Sequence, residues 1–235
     1  MTAPSDRRDA ASTSAPPPPA ATELSLDEAV RYAIGLQRSR QLDAAETLYR
    51  RVLQSAPEHP DALHYLGLLT FQRGRADEAV ALLERAAARV PDYPDFHSNL
   101  GNVFTALGRV AEAADSYARA LALDPQRADF HNNLGVLLRV TGNPLEAEAE
   151  FLRATELDPA HFRAYNNLGM LHAAQGNIEA AVQNYCRSIT LMPSHPDGHK
   201  LLGLAYYATG QFKEAAEVFR QWVVEQPDDP VARHM

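Results

Sequence analysis

Cysteine, tryptophan and clustered basic residues are scarce in this sequence, and each scarcity excludes something. The one cysteine, Cys186, rules out an internal disulfide framework and fits a reducing, cytoplasmic compartment. Its side chain reads as a small packing residue or an inert thiol. Lys and Arg number 22 against 30 Asp and Glu, a net charge of −8. No stretch concentrates the basic residues, so the electrostatic footprint of a nucleic-acid binder is missing, and an acidic membrane surface would repel the chain. No apolar run approaches the ~18 residues that cross a bilayer. Nucleophile-elbow, phosphate-loop, CxxC and HExxH patterns do not occur, so the sequence predicts no catalytic residues, no cofactor and no metal.

What the sequence has instead is repetition. Pro57, Pro91, Pro125, Pro159, Pro193 and Pro227 are spaced 34 residues apart, as are Ala45, Ala79, Ala113, Ala147, Ala181 and Ala215. The tetrapeptide Asn132-Asn133-Leu134-Gly135 returns as Asn166-Asn167-Leu168-Gly169. Gly67, Gly101, Gly135, Gly169 and Gly203 occupy one site of the period, and Gly74, Gly108, Gly142, Gly176 and Gly210 another. Tyr49, Leu83, Tyr117, Phe151, Tyr185 and Phe219 supply one large apolar side chain per period. The second set of glycines can close a helix in the left-handed conformation, and the closing Pro disfavours helix in the residue before it. Each period therefore predicts a helix hairpin, which must stack on its neighbours to bury its apolar face.

A 34-residue period with Leu-Gly near its start, an Ala, a large apolar residue four positions later and a closing Pro resembles the tetratricopeptide repeat family over nearly the whole chain. The resemblance implies an all-α, right-handed α-solenoid of about six helix-turn-helix repeats, near 26–59, 60–93, 94–127, 128–161, 162–195 and 196–229. Ser25 and Glu28 form the capping-box pattern at the start of order. The first repeat departs most from the pattern, with Ala33 and Arg40 where the others have Gly. Residues 1–24, rich in Ala and carrying Pro16-Pro17-Pro18-Pro19, are expected to be a disordered leader, serving as a solubilising tail or a proline-rich ligand. Residues 230–235 read as the start of a seventh repeat.

In the family the first helix of each repeat lines the concave surface. Counted from Pro94, Ala128 and Phe162, the sixth residues are Asn99, Asn133 and Asn167, which the resemblance places in the groove. A carboxamide both donates and accepts, so a row of them can hold an extended polypeptide through its backbone. The row is similar to the asparagine ladder in the superhelical arm of O-linked N-acetylglucosamine transferases. The alternative is that these amides bond to neighbouring helices and fix the repeat geometry. Asn102, Asn132 and Asn166 join the candidate set, and Arg139, Arg163 and Lys200 add positive charge. The basic clamp with which some family members hold chaperone C-termini is matched only in part, by Asn102, Asn133 and Arg163. Ser98 and Asn167 stand where it needs Lys and Arg.

His97, His131 and His199 recur at the fourth position, too far apart to share a metal ion, and read as planar packing groups. His59, His161 and His195 fall in inter-repeat turns and are expected to be solvated. Trp222 stands in a small-residue slot, either capping the core or meeting something beyond it. The expected activity is that of a non-catalytic adaptor for an extended polypeptide. The second reading, from likeness to bacterial fusions of such repeats with a glycosyltransferase or methyltransferase, is a substrate-recruiting arm of a larger enzyme with a C-terminal domain. Self-association through the end near Trp222 is the third.

Overall fold

The computed structural model describes residues 24–225. Nearly all of the leader expected over 1–24, and the seventh-repeat opening at 230–235, lie outside the described residues. Those residues form twelve α-helices: α1 (Leu26–Arg38), α2 (Leu42–Ser55), α3 (Pro60–Gln72), α4 (Ala76–Arg89), α5 (Pro94–Ala106), α6 (Val110–Leu123), α7 (Ala128–Val140), α8 (Pro144–Leu157), α9 (Phe162–Ala174), α10 (Ile178–Leu191), α11 (Pro196–Ala208) and α12 (Phe212–Glu225). They pair into six hairpins, repeats 1 to 6. Every first helix begins at the first residue of its 34-residue period.

Local chemistry explains the boundaries. Glu28 N–H donates to Ser25 Oγ at 3.3 Å and Ser25 N–H to Glu28 Oε2 at 2.9 Å, which closes the expected capping box on α1. Pro60 and Pro94 open α3 and α5 where a missing N–H does no harm. The turn inside each later hairpin places its glycine at positive φ, between 71° and 82°. In repeat 1 the same turn puts Arg40 at φ 63°, a conformation that an L side chain adopts only at a cost.

Within a hairpin the repeated alanine of the second helix is buried, and the large apolar residue four positions later lies against the glycine of the first helix. A Cβ at Gly101 would stand 2.6 Å from the Tyr117 ring, and one at Gly135 the same distance from the Phe151 ring. The rings, not the backbone conformation, forbid a side chain there. Each fully buried side chain of this size stabilises the fold by roughly 1.5–3 kcal/mol. Each hairpin packs on the next, and successive first helices (α1, α3, α5, α7, α9, α11) also touch one another. Among the described residues the second helices make no comparable contacts with each other, so the first helices form the inner edge of the solenoid.

Trp222 is 1% exposed, with its ring centre 6.4 Å from that of Phe219. It belongs to the core of the last hairpin, the capping reading of the two that the sequence left open.

Candidate functional site

Three sets of contacts sew the first helices together, and they determine what the candidate amides have left to offer. In the first set, the sixth residue of one repeat reaches the fifth residue of the repeat before. Asn99 Nδ2 lies 3.2 Å from His64 Nε2, Asn133 Nδ2 donates to Ser98 Oγ at 3.2 Å, and Asn167 Nδ2 donates to Asn132 Oδ1 at 2.9 Å. Asn132 Nδ2 in turn donates to Asn133 Oδ1 at 3.4 Å, so the chain Asn167–Asn132–Asn133–Ser98 runs unbroken from repeat 5 to repeat 3. A parallel chain starts at Tyr117, whose hydroxyl donates to Asn102 Oδ1 at 2.8 Å; Asn102 Nδ2 faces Asn99 Oδ1 at 3.5 Å, and Asn99 reaches His64.

The second set joins the second residue of a repeat to the residue just before the next repeat. Asp27 meets His59 at 3.0 Å, Asp95 meets Arg127 at 3.2 Å and Asp129 meets His161 at 3.0 Å. His59 and His161 are not the solvated turn residues expected from the sequence. Their Nδ1 atoms accept from the N–H groups of Ala62 (3.4 Å) and Ala164 (3.1 Å), capping α3 and α9, while Nε2 serves the aspartate. That bond from His161 holds the Asp129 carboxyl below the usual carboxylate range. In the third set, Nε2 of His97, His131 and His199 donates to the carbonyl oxygens of Pro91, Pro125 and Pro193 at 2.7, 3.0 and 2.9 Å. These imidazoles are hydrogen-bonding staples of the inter-repeat turn as well as packing groups.

Between α5, α7 and the start of α9 lies a channel of about 410 Å³ lined by Asp95, Ser98, Asn99, Asn102, Asp129, Asn132, Asn133 and Arg163. Five of the nine candidate residues meet there. Asn167, half-buried, continues the row on α9, whereas Arg139 and Lys200 stand outside the channel lining. Asn132 and Asn166 are buried, at 5% and 7% exposure, and Asn132 still lines the channel. Asn132 is the acceptor under Asn167, while Asn166 Oδ1 is buried with no partner among the described residues, the sixth residue of repeat 6 being Leu201. Asp95, Asp129 and Ser98 complete the lining. Their second- and fifth-position spacing was the signal that they share the channel.

Each amide in the row spends one N–H on a neighbouring repeat. A carboxamide has two N–H groups and two acceptor positions, so Asn99 and Asn133, whose Oδ1 atoms also accept once each, keep donor and acceptor capacity beside the channel they line. Arg163 is exposed, its guanidinium 5.0 Å from the Phe162 ring centre, and supplies positive charge at one end. Burial pushes the thiol of the half-buried Cys186 up, which keeps it in its less nucleophilic form. Among the described residues no three or more His, Cys, Asp or Glu side chains converge as a metal-holding group, and no helix is long and apolar enough to cross a membrane.

A family model described as Tetratricopeptide repeat matches residues 33–94, 71–128, 98–160 and 132–190. A TPR repeat model matches 171–210, and a further Tetratricopeptide repeat model matches 196–235. No curated protein matches the chain. Among solved structures, PilW, a type IV pilus biogenesis factor, is similar with a TM-score of 0.77 at 20% identity, over 89% of this chain and 97% of that one. A chain of the APC/C hetero-tetramer Cut9-Hcn1 gives 0.77 at 16% identity over 89% of this chain, which spans 42% of that one. YrrB, titled a TPR protein with an unusual peptide-binding site, gives 0.52 at 22% identity over 79% and 96%.

Proposed function

Because the chain belongs to the tetratricopeptide repeat family, whose members generally act as protein-protein interaction scaffolds, we propose that it is a non-catalytic adaptor holding an extended segment of another polypeptide along the α5–α7–α9 channel. The observation that carries this reading is the row of part-satisfied carboxamides on the inner edge, continuous over three repeats and flanked by Arg163. Such groups pair with peptide N–H and C=O whatever the side chains are, and a backbone-directed row suits an extended ligand. The peptide-binding site reported for YrrB and the likeness of the row to the transferase ladder support the same reading.

The test must spare the seams, because replacing Asn99, Asn133 and Asn167 also cuts bonds between repeats. Asn102, Asp129 and Arg163 are the exposed members of the channel, and since Asp129 is tied to His161 of the next turn, Asn102 and Arg163 are the ones to replace. A displayed random-peptide library selected against the protein supplies a ligand, and calorimetry measures its affinity for the parent and for the double variant Asn102→Ala with Arg163→Ala. Binding weakened about tenfold or more at unchanged helicity supports the channel. Equal affinity removes it from the mechanism.

A further inference from the structure

We propose that the cleft between α4, α5 and α6 is a second docking point, one that takes an arginine side chain of a partner protein. The cleft holds about 390 Å³ and lies on the opposite face of α5 from the amide channel. His97, Leu100 and Phe104 turn toward it at helical spacing, whereas Asn99 and Asn102 turn toward the channel.

Its groups are arranged to accept. His97 is 6% exposed, and its Nε2 donates to the Pro91 carbonyl oxygen at 2.7 Å, which leaves Nδ1 as the ring's acceptor, with no partner among the described residues. Glu84 on α4 and Asp115 on α6 line the walls without an ion pair among the described residues. Glu112 is held by Arg109, and Arg119 is the basic residue of the lining. Leu100 and Phe104 form an apolar floor, and the Arg109 guanidinium lies over the Phe104 ring, 4.4 Å from its centre.

The next repeat closes the equivalent cleft from within. His131 makes the same bond to a proline carbonyl, but its Nδ1 meets Glu150 Oε2 at 2.7 Å. Glu150 stands where repeat 3 has Ser116, and Ala118 and Ala149 stand where it has Glu84 and Asp115. Repeat 4 thus carries a carboxylate inside the cleft and alanine at two of its wall positions, with Glu146 in place of Glu112. In repeat 3 the walls are acidic, and the short Ser116, whose hydroxyl is turned to the Glu112 carbonyl at 2.7 Å, leaves His97 Nδ1 uncovered. A ligand carboxylate imitating Glu150 would face those acids. A cation is drawn by them, and the planar five-donor fork of arginine can bond acceptors on three helices while its stem covers the apolar floor. The point charge of lysine cannot span them.

The test is NMR titration of the full, isotope-labelled chain with N-acetyl-L-arginine amide, reading the His97 ring and the Ser116 and Phe104 amides. Saturable shifts at millimolar concentration are expected, with none from the norleucine or glutamate analogues. Ser116→Glu, which plants the Glu150 carboxylate, should abolish the shifts at an unchanged Tm, and Glu84→Ala with Asp115→Ala should raise Kd about tenfold. Absence of saturable shifts with the arginine derivative, shifts that persist in Ser116→Glu, or binding of the glutamate analogue in its place overturns the proposal.

Discussion

Asn167 donates to Asn132 across 2.9 Å and 35 residues of sequence, one residue more than the repeat. The extra residue reflects how the first helices sit. Neighbours are offset so that the sixth position of one faces the fifth of the one before, and two seams on, Asn99 and His64 meet in the same way. The seams are not equal. Three carry this bond, the fifth sets Leu201 against the unpartnered Asn166 Oδ1, and at the first Tyr65 stacks on Tyr49 with ring centres 6.3 Å apart. The first seam is also held by Glu46, which takes Arg73 at 2.9 Å and Arg75 at 2.6 Å.

Asn132→Ala should therefore cost more than Asn166→Ala, although both residues are buried asparagines at the same repeat position. The first removes the acceptor of Asn167 and the donor to Asn133, a loss of about 2 kcal/mol, whereas the second removes an acceptor that already lacks a partner and should cost less than about 0.5 kcal/mol. Urea midpoints of the two variants compare them directly; equal losses would contradict the unequal seams.

Arg40→Gly should stabilise the protein by about 1 kcal/mol, because glycine relieves the left-handed strain but adds backbone entropy to the unfolded chain. Thermal unfolding of the variant reads this as a higher Tm. The reverse change, Gly142→Ala, places a Cβ at φ 82° and should lower it.

Gly135→Ala should lose about 2 kcal/mol, since the new methyl would stand 2.6 Å from the Phe151 ring and the helices must part to admit it. In a double-mutant cycle with Phe151→Ala, which removes the ring the methyl would meet, the pair should therefore cost clearly less than the sum of the single changes. Additive losses would show that the ring is not the obstacle.

Burial pushes the His64 imidazole down to about 4. Its folded value lies below the ordinary His value near 6.5, so the unfolded chain binds the proton more readily, and stability falls as pH drops from about 6.5 to about 4, by up to about 3 kcal/mol. His64→Asn supplies an amide acceptor for Asn99, as Asn132 does for Asn167, without a titrating ring. The difference between parent and variant stabilities should shrink across that window and level off below it. A difference independent of pH would contradict the assignment.

Helices and turns were legible because their causes are local. Gly74 and Gly108 at the end of a first helix, Pro60 and Pro94 at the start of one, and Ser25 with Glu28 each act on residues within one turn of themselves. The seams were not legible, because an offset of 35 residues follows from how hairpins stack and leaves no mark in a 34-residue period. Asn132 shows this: adjacent in sequence to Asn133, it takes its bond from Asn167 of the next repeat. His161 was misplaced because the same turn position carries Arg127 one repeat earlier, and only the geometry shows that the imidazole can cap α9 and reach Asp129 at once.

A bond that always runs from a sixth position back to a fifth also gives the array a reading direction. Repeats 3, 4 and 5 can follow any unit that ends its fifth position in an acceptor, whereas repeat 6, with Leu201, brings no donor to whatever precedes it. Shuffling whole units by duplication or deletion would thus be tolerated in the interior and penalised where repeat 6 is moved inward, so the order of the hairpins is constrained by polar grammar as well as by shape.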